Sequence, residues 1–173
     1  VVVDEAYGEF APDGTSAVSL LAEHDNLVVV RTFSKAWRLA GVRIGYLLGS
    51  PGVVSAMAVA RLPYHLSTLS QAVGLAALEA EDDTLAAVGE MVSERDRIVA
   101  ALGGLGLRVM PSDANFVLFE VAGAGAVWKA LNERGVLIRS YERSPVLGSF
   151  LRVTVGLPDE NDEFLRTLEE AIA

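Results

Sequence analysis

The chain has 173 residues, of which 51% are hydrophobic, and it carries a formal net charge of −9. This length suits one domain or two small ones, and the hydrophobic fraction allows a sizeable core. The negative charge argues against nucleic acid or an anionic membrane surface as the main partner. The chain has no cysteine, which excludes disulfides and thiolate chemistry, and His24 and His65 are too far apart in sequence to indicate a metal site.

Hydropathy and the start of the chain indicate a cytoplasmic location and an incomplete chain. No uninterrupted apolar run is long enough to predict a transmembrane helix, and no targeting signal is visible. The chain opens directly on three valines, a pattern typical of the inside of a buried strand. We therefore expect a fragment whose N-terminal part is missing.

The first third of the chain predicts buried strands separated by loops. Residues 1–3 form a β-branched run typical of a buried parallel strand, and a second such run lies at 27–30. A third strand is expected at 44–48. The segment 49–52 then begins a helix that ends before Pro63, because proline interrupts a helix.

The middle of the chain predicts a long helical stretch from Ser67 to Leu102. The run 82–84, Asp-Asp-Thr, offers an internal N-cap and predicts a kink, and Gly103-Gly104 ends the stretch. Its second half carries apolar residues at the spacing of an amphipathic helix, namely Leu85, Val88, Val92, Val99 and Leu102.

The last third changes to a mixed pattern of short strands and helices, which predicts a small α+β domain. Helices are expected at 126–134, with Gly135 as the C-cap, and from Pro158 onwards. Strands are expected at 107–110, 115–121, 136–139 and 150–155.

Polar side chains follow the first predicted strand. Asp4 comes directly after the three valines, and Tyr7 lies three residues further on. A carboxylate in this position is costly if it is buried without a partner. It either caps the loop or faces a cationic ligand group, because ligands bind beyond the carboxyl ends of strands in open α/β sheets.

A second polar group follows the second predicted strand. Thr32, Ser34 and Lys35 come in close succession, and Arg43 lies eight residues after the lysine. The group is either a polar loop with a solvated lysine or an anion-binding site beside a reactive amine. The chain has twelve arginines but only two lysines, the other being Lys129. Because an amine can lose its proton and attack a carbonyl whereas a guanidinium cannot, the scarcity of lysine is compatible with a chemical role for one of them, and both interpretations stay open.

These motifs together resemble fold-type I pyridoxal-phosphate (PLP) aminotransferases, and among them most closely the histidinol-phosphate aminotransferases. The resemblance covers nearly the whole chain and implies an α/β fold, the C-terminal part of a fold-type I PLP-transferase. It assigns 1–66 to the last strands of the large-domain sheet, 67–103 to a long connecting helix and 104–173 to a small C-terminal α+β domain. The matching segments are 4–7 (Asp-Glu-Ala-Tyr), 31–36 (Arg-Thr-Phe-Ser-Lys-Ala), 39–46, 62–64, 112–116, 135–139, 151–156 and 160–162.

The resemblance implies a role for each matching residue toward pyridoxal 5'-phosphate. Lys35 would form the Schiff base and then shuttle a proton. Asp4 would pair with the pyridinium nitrogen, and Tyr7 would hydrogen-bond the phenolate oxygen. The cofactor phosphate would be held by Thr32, Ser34 and Arg43.

The resemblance also implies residues that bind the substrate. Arg152 would bind its anionic end with Arg139 assisting, although a surface salt bridge is an alternative for Arg139. In the predicted strand, Arg152 and Thr154 point to one face and the apolar residues to the other. Asn115 and Tyr64 match positions near the site, and a turn role for Asn115 or a packing role for Tyr64 is equally compatible. Family members often have glycine or another small residue where this chain has Arg38, which is assigned no role.

The reaction implied is transfer of an amino group from histidinol phosphate to 2-oxoglutarate, in histidine biosynthesis. Family members carry further cofactor-binding features before this segment, and a homodimer partner contributes to each site. The isolated segment is therefore expected to be inactive. Alternatives are an aromatic amino-acid aminotransferase or a threonine-phosphate decarboxylase of the same subfamily, a non-catalytic PLP-binding regulatory module, and a structural remnant without cofactor.

Overall fold

The computed structural model describes residues 1–173, which form two compact units, Val1–Val88 and Gly89–Ala173. Each unit contains its own β-sheet, three-stranded in the first and four-stranded in the second. The α/β fold class expected from the sequence is confirmed. The boundary between the units lies inside the longest helix, and the assignment of 1–66, 67–103 and 104–173 to parts of a larger architecture stays a prediction.

The sheet of the first unit contains the three strands that the sequence predicts. They are β1 (Val2–Asp4), β2 (Val28–Thr32) and β3 (Gly45–Gly49), in the order β1-β2-β3. β1 runs parallel to β2, and β3 runs antiparallel to it. The central strand is the most buried, because its valines have side chains packed on both faces of the sheet.

Three helices follow this sheet along the chain. α1 (Pro51–Ala60) begins at Ser50, whose hydroxyl accepts a hydrogen bond from the amide of Val53. α2 (Thr68–Glu79) is capped in the same way by Ser67. α3 (Glu81–Gly104) starts directly after Ala80. None of the helices combines the length and the apolar character that crossing a bilayer would require.

The predicted break in the long helical stretch exists, but it lies at Ala80 rather than at 82–84. Asp82 and Asp83 are in the first turn of α3 together with Glu81, so they do not cap the helix from outside. Carboxylates in the first turn are stabilised by the positive end of the helix dipole, which explains the acidic run at this place.

The second unit has an antiparallel sheet in the order β4-β5-β7-β6, with α4 and α5 in its core. The strands are short, and the predicted strand at 136–139 pairs only at its end. The elements are β4 (Arg108–Val109), β5 (Phe116–Glu120), α4 (Ala124–Glu133), β6 (Arg139–Ser140), β7 (Phe150–Thr154) and α5 (Pro158–Ile172).

The core of the second unit is formed by one face of the sheet, α4, α5 and the C-terminal half of α3. From α3, Ile98 and Leu102 are fully buried. The predicted stripe included Leu102 but missed Ile98, and Leu85, which it included, is 46% exposed. On β7, Leu151 and Val153 are buried while Thr154 is exposed, which confirms the predicted alternation along this strand.

Candidate functional site

Asp4 is the last residue of β1 and pairs in register with Val30 of β2. Its Oδ1 accepts a hydrogen bond of 3.0 Å from the amide of Ala6, so the side chain stabilises the turn that follows the strand. The carboxylate is exposed and forms no ion pair. Asp4 therefore serves as the loop cap that its sequence position allows, and it leaves the second oxygen available to a cationic group.

Tyr7 and Lys35 come together beyond the ends of β1 and β2. The Nζ atom of Lys35 lies 5.3 Å from the centroid of the Tyr7 ring. Lys35 is half-buried and forms no hydrogen bond or ion pair. Lys129, by contrast, is exposed and lies 3.8 Å from the carboxylate of Glu133. The amine at position 35 therefore lies beside the Tyr7 ring and has no carboxylate partner.

Thr32 and Ser34 form a tight turn before Lys35. The hydroxyl of Thr32 donates to the carbonyl of Ile44 at 3.2 Å and accepts a hydrogen bond of 3.1 Å from the amide of Ser34. The single hydroxyl proton of Thr32 is thus engaged with the backbone, and this side chain shapes the turn. The hydroxyl of Ser34 makes no hydrogen bond within the chain, so it is available to a ligand.

Arg43 lies just before β3 in the left-handed region, with φ of 58°. Its Nη1 donates to the carbonyl of Ala40 at 3.2 Å, and no ion pair or hydrogen bond joins it to Asp4 or Lys35. Since the guanidinium has no carboxylate partner, most of its donors remain available to an anion. Arg38 has the same φ of 58°, a conformation that favours glycine over a residue with a β-carbon.

Glu5 and Arg31 form an ion pair that the sequence reasoning missed. The Arg31 Nη2 atom lies 2.8 Å from Glu5 Oε2, and the side chains are only 23% and 10% exposed. The hydroxyl of Ser16 and the amide of Ala17 also donate to the Glu5 carboxylate, at 2.8 and 2.6 Å. Burial raises the pKa of Glu5, but these hydrogen bonds lower it by more, so its pKa lies below its ordinary value.

A signal for this pair was present in the sequence. Glu5 directly follows β1 and Arg31 directly precedes the end of β2. Because successive residues of a strand point to opposite faces, two charged residues of opposite sign at these places can meet on one face of the sheet. Only the register between β1 and β2 could show that they do.

The second unit contains a separate cationic feature on its sheet. Arg152 of β7 lies in register with Arg139 of β6 and with Leu118 of β5. The guanidinium carbon of Arg152 lies 4.9 Å from the centroid of the Phe116 ring, and its Nε is buried without a hydrogen-bond partner. Two like charges directly opposite each other destabilise a sheet, so this arrangement suits a bound anion.

The remaining substrate-binding candidates contribute less to the described geometry. The carbonyl of Asn115 accepts a hydrogen bond of 2.9 Å from the amide of Val155, which places this residue beside the end of β7. Tyr64 is 99% exposed, with φ of 54°, and its ring makes no packing contact. Both roles considered for Tyr64, at the substrate pocket or in packing there, therefore stay predictions about the complete protein.

A family model and individual known proteins match all or nearly all of the chain. The family model described as "Aminotransferase class I and II" matches residues 1–168. The chain is 50% identical over 175 aligned positions to a histidinol-phosphate aminotransferase from Mycobacterium avium, covering 100% of this chain and 43% of that protein. The chain thus spans less than half the length of the curated relatives that it matches.

Solved structures with the same fold include two that bear on the chemistry. Histidinol-phosphate aminotransferase from Sinorhizobium meliloti, in complex with pyridoxal-5'-phosphate, matches with a TM-score of 0.87 and 33% identity over 99% of this chain and 48% of that one. L-threonine-O-3-phosphate decarboxylase from Porphyromonas gingivalis matches with a TM-score of 0.85 and 26% identity, over 98% and 54%. The chain belongs to the aminotransferase class I and II family.

Proposed function

We propose that this chain forms part of a PLP-dependent aminotransferase that transfers the amino group of histidinol phosphate to 2-oxoglutarate. Glutamate and the ketone derived from histidinol phosphate would be the products. The observation that carries the proposal is the amine of Lys35 beside the Tyr7 ring, at the ends of two paired strands and without an anionic partner. The 50% identity to a histidinol-phosphate aminotransferase supports this substrate.

The donor groups of the first unit fit the chemistry of PLP. Lys35 offers an amine for covalent attachment, and the carboxylate of Asp4 suits a protonated ring nitrogen. Tyr7 offers a phenol for the ring oxygen. The phosphate would be held by the hydroxyl of Ser34 and the guanidinium of Arg43. Thr32 would contribute mainly through the turn that its hydroxyl stabilises. When bound, PLP supplies an electron sink for the carbanion that forms at the substrate.

Each of these side chains has a definite task in such a reaction. The negative charge of Asp4 would favour a protonated ring nitrogen, the form of the ring that withdraws electrons most strongly. The Tyr7 hydroxyl donates a hydrogen bond that stabilises negative charge on the ring oxygen. The Lys35 Nζ atom would act as the base that accepts a proton from the substrate carbon and later donates it.

The substrate would be recognised by the cationic pair in the second unit. Arg152 and Arg139 offer two guanidinium groups to the anionic end, and the unpartnered Nε of Arg152 has a donor to contribute. Asn115, beside the end of β7, would assist. Tyr64 would take part only if other parts of the complete protein approach it. We expect the complete protein to be a cytoplasmic homodimer with an N-terminal part that completes the site.

Replacement of each lysine in turn tests the proposal. The complete protein should show a cofactor absorbance band that borohydride removes while it fixes the cofactor covalently to the protein. Lys35→Ala should abolish both the band and the covalent attachment. Lys129→Ala should retain the band, because Lys129 is exposed and paired with Glu133. Binding of PLP that survives Lys35→Ala unchanged would contradict the assignment of the amine.

Turnover separates the substrates and the alternative activities. Histidinol phosphate with 2-oxoglutarate should react faster than phenylalanine with 2-oxoglutarate. Release of carbon dioxide from threonine phosphate would instead favour the decarboxylase activity of the P. gingivalis relative. DNA binding in a gel-shift assay without transamination would favour the regulatory module.

A further inference from the structure

The Glu5–Arg31 pair lies next to the proposed cofactor residues but points away from them. Asp4 pairs in register with Val30 in the parallel sheet, so Asp4 and Thr32 point to one face. Glu5 and Arg31 are their immediate neighbours, so they point to the opposite face, where they form the ion pair. The ion pair therefore links the two strand ends that carry Asp4 and Thr32, on the face of the sheet opposite to these two side chains.

The hydrogen bonding of this pair leaves little freedom to either side chain. Glu5 Oε2 accepts from Nε and Nη2 of Arg31 at 3.1 and 2.8 Å and from the Ser16 hydroxyl at 2.8 Å. Oε1 accepts from the amide of Ala17 at 2.6 Å. Arg31 Nη2 also donates to the Ser16 hydroxyl at 3.0 Å. Two donors of Arg31 therefore converge on one oxygen of Glu5 while the Ala17 amide holds the other, so both carboxylate oxygens are engaged.

Both chain segments that lead to the reactive groups start from this pair. The carbonyl of Glu5 accepts a hydrogen bond of 3.0 Å from the amide of Gly8, which closes the turn that carries Tyr7. Arg31 is followed by the Thr32–Ser34 turn that leads to Lys35. The contact between Tyr7 and Lys35 thus depends on two backbone segments whose origins are joined by the ion pair.

We propose that Glu5 and Arg31 are positioning residues, which hold Asp4 and Tyr7 on one strand end in register with Thr32 and Lys35 on the other. This inference rests on the proposed function and goes beyond it, since neither side chain would touch the cofactor. Loss of the pair changes the environment of the ring oxygen and of the amine, as well as the stability of the fold.

Glu5→Gln tests this role in the complete protein, because it removes the charge at nearly constant shape. Cofactor affinity, measured by absorbance titration, should weaken roughly tenfold or more, since a small misplacement of binding groups has large effects. The pH midpoint of the cofactor absorbance should rise by roughly half a unit or more, the equivalent of weakening the hydrogen bond from Tyr7. Arg31→Met should shift both quantities in the same direction.

Leu48→Ala is the matched control for a purely structural effect. Leu48 of β3 pairs with Val29, the second residue of β2, far along the sheet from the strand ends that carry Asp4 and Thr32. The Leu48→Ala substitution should lower the melting temperature of the cofactor-free protein without changing the pH midpoint of the cofactor absorbance. If Glu5→Gln does not fold, Ser16→Ala carries the test, because it removes one shared hydroxyl and leaves the ion pair; a smaller shift in the same direction is expected.

The positioning role would be overturned if Glu5→Gln changed neither the cofactor affinity nor the pH midpoint of the cofactor absorbance. The same holds for Ser16→Ala if that is the variant measured. A shift in Leu48→Ala as large as that in the tested variant would overturn it as well, because any destabilisation would then produce the effect. Failure of the proposed function is recognised separately, in the unsubstituted protein, by the lack of an absorbance band that depends on Lys35.

Discussion

Arg139 and Arg152 lie directly opposite each other on β6 and β7, so two guanidinium groups share one face of the sheet of the second unit. Phe116 stabilises one of them through its ring, and no carboxylate forms an ion pair with either. Such an arrangement is more stable with an anion between the two side chains than without one.

Under the proposed function, Arg152→Met should therefore weaken binding of the anionic substrate. We expect KM to rise by about one to two orders of magnitude, since a charge-assisted hydrogen bond contributes about 1.5–3 kcal/mol. Steady-state kinetics of the complete protein provide the measurement. Arg108→Met is the control, because Arg108 is in the same sheet but is exposed and paired with Glu120. Equal effects in the two variants would contradict a specific anion site.

Asp4→Asn should impair turnover more than cofactor binding. An amide can still accept the hydrogen bond from the amide of Ala6, so the turn after β1 should remain intact. It cannot supply the negative charge that the proposed function assigns to Asp4 for keeping the ring nitrogen protonated, so kcat should fall on the order of 100-fold. Stopped-flow kinetics and absorbance titration measure the two quantities. A loss confined to cofactor affinity would instead indicate that Asp4 helps to bind the cofactor and does not contribute to turnover.

Thr32→Val should destabilise the protein even without cofactor. The valine leaves the carbonyl of Ile44 and the amide of Ser34 without the hydroxyl, at a cost of about 1–3 kcal/mol. Thr32→Ser retains the hydroxyl and should remain close to the unsubstituted protein. Urea unfolding of the cofactor-free protein measures the difference. If only cofactor-bound stability changes, the hydroxyl acts on the phosphate rather than on the turn.

Arg38→Gly should stabilise the cofactor-free protein by about 1 kcal/mol, because a left-handed conformation is strained for arginine and not for glycine. Arg38 forms no ion pair that the substitution would remove. Arg38→Ala should give no such gain, because alanine shares the strain of the β-carbon. Thermal unfolding of the three proteins distinguishes relief of backbone strain from loss of the positive charge.

The ion pair of Glu5 should make stability depend on pH in the acid range. Its folded-state pKa lies below the ordinary value of 4.5, so its contribution is fully present above that value and disappears as the pH falls through the folded-state pKa. The free energies of unfolding of the complete protein and of its Glu5→Gln variant should differ most near neutral pH. The difference in the free energy of unfolding should shrink at pH values below the ordinary pKa of a glutamate. A difference that stays constant down to acid pH would contradict a charged Glu5.

Local features of the chain were accessible from the sequence alone. The valine runs before Asp4 and before Arg31 identify β1 and β2 because β-branched residues favour strands. Tyr7 follows Asp4 by three residues and Lys35 follows Thr32 by three, so each pair depends only on short-range spacing. The family could be recognised from the same segments because each of its motifs lies within a few consecutive residues.

Other features were decided only by the tertiary structure. The ion pair between Glu5 and Arg31 joins residues 26 positions apart, and the opposition of Arg139 and Arg152 depends on the register of two strands. A shift of one residue in either register would turn every side chain to the other face. The positive φ of Arg38 comes from the path of the chain between β2 and β3, which residue preferences alone do not predict. The sequence therefore determined which groups the protein carries, and the pairing of its strands decided which of them meet.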